Sequence, residues 1–82
     1  MKKYVVEGYD KDYDTVVTYH TTNSFSDAVH VGEILNRLTM DDSLIRRDDD
    51  GIAEPIDWIQ IYDEPENKVI GYFDRKNKFV HK

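Results

Sequence analysis

Cysteine is absent from the 82 residues. That excludes a disulfide framework, thiol catalysis and cysteine-based zinc ligation. It fits a reducing compartment. Proline occurs twice and glycine four times. No repeat or low-complexity segment divides the chain, so residues 1–82 read as a single domain. Long apolar runs are also missing; none approaches the ~20 residues of a membrane span. The N-terminus, MKKYVVEGYD, carries two lysines but no apolar h-region, so no signal peptide is expected. The expectation is a cytoplasmic protein without membrane contact. A chain this short buries only ~60% of its unfolded surface, so its core is thin.

Basic residues are outnumbered, 11 against 17 acidic, for a net charge of −6. The excess is uneven. From Asp41 to Glu66 there are ten acidic residues against Arg46 and Arg47, a net of −8. Direct nucleic-acid binding is not expected, because affinity for the phosphate backbone rests largely on Lys and Arg. A basic protein partner suits this segment electrostatically. The plainer account is that these are solubilising loop charges.

What is present is a strong β pattern. Trp58–Tyr62 and Val69–Phe73 are aromatic and β-branched, and Glu64-Pro65-Glu66-Asn67 supplies the turn between them. Asp57–Asp74 therefore reads as a hairpin. With Asp63 opposite Lys68, Ile61 faces Ile70 and Ile59 faces Tyr72 on an aliphatic side. Trp58 then faces Phe73, Gln60 faces Gly71 and Tyr62 faces Val69 on an aromatic side. A slip of one residue exchanges the two faces.

Residues 3–22 form a second hairpin, with KYVVEGY and TVVTYHTT as strands and DKDYD as the turn. Pairing Tyr9 with Asp14 places Tyr4, Val6, Val17 and Tyr19 on the core side. Val5, Glu7, Val16, Thr18 and His20 take the other. Residues 24–39, SFSDAVHVGEILNRLT, carry helical periodicity at Phe25, Ala28, Val29, Gly32, Leu35 and Leu38, widened by Val31 and Ile34. Ser24 is the expected N-cap and Ser26 its rival. Gly32 lowers helix propensity by about 1 kcal/mol, and its expected role is close approach to the strands. Residues 40–56 read as an acidic loop, with a short helical turn through Leu44 and Ile45 to Arg47 and a turn at Asp48-Asp49-Asp50-Gly51. Residues 75–82 read as a frayed basic tail.

The predicted architecture is α+β in the order β-β-α-β-β: a four-stranded antiparallel sheet with one long helix on one face. Chemistry is scarce. Aligning Gly51 with the invariant glycine of an EF-hand loop puts Arg46 at the first ligand position, so calcium is not expected. Asp27, His30 and Glu33 are spaced for a metal, but a solvated polar helix face explains them. Ser24 and Ser26 are explained by capping. The carboxylates lie mostly in turns, without the shielded pocket that acid–base catalysis requires. The chain is expected to be non-enzymatic, with no cofactor and no metal.

Two binding surfaces follow. Trp58, Gln60, Tyr62, Val69 and Phe73 form a candidate interface, because one helix covers only one face of a sheet. This face suits a protein partner or a second copy in a homodimer. Asp41, Asp42, Asp48, Asp49, Asp50 and Glu54 form a candidate acidic surface for a basic, nucleic-acid-binding partner. In size and composition the chain resembles the accessory proteins of phages and mobile elements. The inhibitor or decoy reading of the acidic surface rests on the net −8 of Asp41–Glu66 and on the length of the loop that carries much of it.

Overall fold

The structure, a computed structural model, describes residues 2–40, 45–47 and 53–82; at 45–47 and 53–55 only the backbone is described. Seven strands and one helix follow in chain order. They are β1 (Tyr4–Asp10), β2 (Thr15–Thr22), α1 (Phe25–Met40), β3 (Ile45–Arg47), β4 (Ala53–Pro55), β5 (Trp58–Asp63), β6 (Lys68–Phe73) and β7 (Phe79–His81). Five of them build one antiparallel sheet in the order β2-β1-β5-β6-β7, and β3 and β4 pair separately. The α+β class and single helix match the sequence pattern; the sheet has five strands rather than four.

The fifth strand corrects the frayed tail. Asp74 organises the turn that leads into it. Its Oδ1 accepts the Lys76 and Lys78 backbone N–H groups at 2.9 and 3.0 Å, and its C=O accepts the Asn77 N–H. Asn77 takes φ 61°, a conformation asparagine tolerates. Phe79 then lies opposite Phe73, and Val80 opposite Tyr72. The helical turn expected through Ile45 is corrected too: Ile45–Arg47 is extended and pairs with Ala53–Pro55. The turn at Asp48–Gly51 lies outside the described residues.

Two bulges set the faces of the sheet. In the second hairpin Asp63 opposes Lys68 and Tyr62 opposes Val69, as expected. The register then shifts between Ile61 and Tyr62, so that Ile61 opposes Gly71 and Gln60 opposes Tyr72. Ile70 is the extra residue. An extra residue exchanges the faces of everything beyond it. Phe73 therefore joins Ile59 and Ile61 in the core at 2% exposure, and Tyr72 turns to the other side with Trp58. The expected Trp58–Phe73, Ile59–Tyr72 and Ile61–Ile70 pairs do not form.

The first hairpin pairs Asp10 with Thr15 rather than Tyr9 with Asp14, and its register shifts between Val6 and Glu7. Tyr19 is the extra residue here. Thr18 opposes Glu7 and so keeps its expected face, but His20 opposes Val6. This brings His20 to the helix side, a second correction, where its Nε2 lies 2.9 Å from Asp27 Oδ2.

The helix covers the face carrying Val6, Gly8, Val17, Ile59, Ile61 and Phe73. Ser24 is its N-cap, with Oγ accepting the Asp27 N–H at 3.2 Å. Ala28, Gly32 and Asn36 form its buried line. A Cβ on Gly32 would sit 2.3 Å from the Phe73 ring, so the absent side chain sets the helix–sheet spacing. Asn36 was not expected inside. Its Nδ2 donates to the Asp74 C=O and to Asn77 Oδ1, both at 3.0 Å, which ties the helix to the β6–β7 turn. Leu38 and Ile34, counted in the apolar stripe, are exposed at 40% and 52%.

Candidate functional site

The second face of the sheet carries no helix among the described residues, and three cross-strand rows compose it. Thr18, Glu7, Gln60, Tyr72 and Val80 run across all five strands. Thr21, Val5, Tyr62 and Val69 form the second row, and Val16, Tyr9 and Trp58 the third. Alternation along each strand places these side chains together, and the two bulges keep the rows aligned.

Trp58, Tyr72 and Val16 are the large exposed side chains of this face, at 36, 39 and 48%. The Tyr9 ring stacks on Trp58 with centroids 4.5 Å apart and planes 24° from parallel. The Tyr9 hydroxyl donates to Asp14 Oδ1, and the Tyr62 hydroxyl to Asn67 Oδ1. Each tyrosine is thereby fastened to the turn that ends its own strand. Asp14 and Asn67 both have positive φ, 51° and 53°. The hydrogen bond to Asp14 raises the Tyr9 pKa, with lesser help from desolvation and from the carboxylates of Asp14, Asp10 and Asp57.

At the centre lies a polar chain. Trp58 Nε1 donates to Gln60 Oε1 at 3.0 Å, and Gln60 Nε2 donates to Glu7 Oε1 at 2.7 Å. Gln60 and Glu7 are buried. Burial raises the Glu7 pKa, and the Gln60 hydrogen bond only partly opposes this. Glu7 is the one charged side chain in the three rows. The face is aromatic and aliphatic at its edges, and at its centre the side-chain polar groups of Trp58, Gln60 and Glu7 are engaged to one another. Among the described residues no group of three His, Asp or Glu side chains is placed to hold a metal.

Of the residues expected at the interface, Trp58, Gln60, Tyr62 and Val69 lie together on this face. Phe73 does not; the bulge at Ile70 sends it to the core. The face gains Tyr72, Tyr9 and Val5, which the sequence pattern did not bring to it as a group. Asp41, Asp42, Asp48, Asp49 and Asp50 lie outside the described residues, and Glu54 sits in β4 opposite Arg46. At one end of the face, Trp58 and Tyr72 also line a cleft that holds Lys11, Arg75 and Lys82. No described helix is long and apolar enough to cross a membrane.

No protein-family model, curated protein or solved structure matches the chain.

Proposed function

We propose that the chain is a small non-enzymatic protein-interaction domain that self-associates through the helix-free face of its sheet. The observation that carries this reading is the exposure of Trp58, Tyr72 and Val16 in cross-strand rows whose one charged side chain, Glu7, is buried and hydrogen-bonded. Exposed aromatic side chains with few charges among them are the residue types enriched at protein interfaces, and the polar atoms between them are already hydrogen-bonded. Charge argues for a second copy as the occupant. Two chains of net charge −6 repel each other, and contact is least opposed over these rows, where no carboxylate is exposed and the nearest charges, at one end, are Lys11, Arg75 and Lys82. Five strands ~4.8 Å apart and ~20 Å long present a projected area on the order of 500 Å². That is at the small end for a specific interface, so the association is expected in the micromolar range rather than tighter.

Light scattering over a micromolar concentration series tests the reading. The expected mass rises above 9.7 kDa with concentration. Trp58→Ala shifts the rise to higher concentration while leaving the far-ultraviolet circular dichroism unchanged. A clean monomer at every concentration contradicts it.

A further inference from the structure

Glu7 stands in the middle of the helix-free face. It belongs to β1, with β2 on one side and β5 on the other, and its row continues through Gln60 to Tyr72 and Val80. It is only 6% exposed. Its Oε1 accepts the Gln60 Nε2 hydrogen bond. Its Oε2 has no hydrogen-bond partner among the described residues, and it is not sealed from solvent. Water over the open face therefore solvates the charge that Glu7 carries.

Among the described residues no cation faces Glu7. From β2 it meets Thr18 and from β5 Gln60. The titratable neighbours in the rows are Tyr9, Tyr62 and Tyr72, which stay neutral far into alkali. The histidines lie on the other side of the sheet: His20 is turned to Asp27, His30 is on the helix and His81 stacks on Phe25. Lys11, Arg75 and Lys82 line the cleft beyond Trp58. Burial and the Gln60 hydrogen bond are what act on the Glu7 proton, the first raising its pKa and the second lowering it.

We propose that closing the helix-free face over a second copy takes up a proton at Glu7 of each copy, so that acid drives assembly. This rests on the self-association reading above. Because the occupant is the same chain, its side of the contact is known: the same rows, with one Glu7 and no cation. Covering the face removes water from Oε2 and brings nothing positive in its place. A carboxylate so placed is disfavoured as an anion. It takes a proton from solvent on Oε2, while Oε1 keeps the Gln60 hydrogen bond. Glu7 then binds its proton more tightly in the assembled state than in the free chain. By linkage, the association constant is greatest at pH values below the free-chain pKa. It falls as pH rises from there and levels off above the assembled value.

Sedimentation of the full chain from pH 5 to pH 8 tests this in ~0.5 M salt, which screens net-charge repulsion and what the histidines add to it. The association constant is expected to fall about tenfold or more across the range. Glu7→Gln is expected to associate at pH 8 as the wild type does at pH 5, with little pH dependence. Glu33→Gln removes the same charge from the exposed helix face and is expected to keep the wild-type profile. Heats of dissociation in two buffers of different protonation enthalpy count the protons released by the wild type, independently of any variant. A count of zero overturns the inference and leaves the face contact standing. So does a Glu7→Gln variant that folds and keeps the wild-type profile. Association that tightens as pH rises also overturns it, by setting Glu7 against Lys11, Arg75 and Lys82 of the second copy. A chain that stays monomeric at every pH removes the face contact and this inference with it.

Discussion

Glu7 sits where a carboxylate is least comfortable, in the middle of a sheet with its charge facing buried neighbours. Its folded-state pKa is raised above the ordinary 4.5, so the folded chain holds this proton more firmly than the unfolded chain. The stability linked to Glu7 is therefore greatest in acid. It falls as pH rises from the ordinary glutamate value through the raised folded value. Glu7→Gln keeps an acceptor for Gln60 and removes the buried charge. Its expected outcome is a higher melting temperature than wild type at pH 7, with the difference shrinking toward pH 4. Equal melting at both pH values would show Glu7 to be solvated. Gly32 gives a second residue-scale test. Alanine there gains about 1 kcal/mol of helix propensity but drives a methyl group into the Phe73 ring. Overpacking of ~1–3 kcal/mol is expected to prevail, so Gly32→Ala lowers the urea midpoint; a raised midpoint would contradict the close helix–sheet contact.

Among the elements, β7 depends on the turn that delivers it. Asn36→Ala removes two hydrogen bonds from a buried position and leaves the Asp74 carbonyl without its side-chain donor. The expected loss is about 2 kcal/mol, with hydrogen exchange accelerated first in Asp74–His81. A uniform loss across the sheet would show β7 not to be a separable unit. The same element marks the limit of the sequence pattern. Helix and hairpins were legible because each repeats its periodicity over six or more residues. A three-residue strand has no period, and its signal lay in Asp74 and Asn77, residues that favour turns. The bulges were illegible for another reason. Neither Tyr19 nor Ile70 is a glycine, and the glycines near the two shifts, Gly8 and Gly71, suggest a bulge without saying which residue is inserted. That hidden residue at Ile70 exchanged Phe73 for Tyr72 in the candidate interface. Asn36 was equally hidden, because a polar residue on a helix reads as solvent-facing until a buried partner is known.

For the whole molecule, the helix covers one face of the five-stranded sheet and leaves an aromatic face that no described helix covers. Trp58→Ala is expected to keep the chain monomeric at concentrations where the wild type associates; sedimentation velocity distinguishes the two. The claim underlying all of this is that the helix-free face becomes buried in solution. Trp58 is the only tryptophan of the chain, and it is 36% exposed. Its fluorescence emission on dilution from hundreds of micromolar to tens of nanomolar therefore reads that face alone. The account predicts a red shift of the emission maximum as the copies separate, with a midpoint in the micromolar range. An emission maximum that stays fixed across the whole dilution series would contradict it.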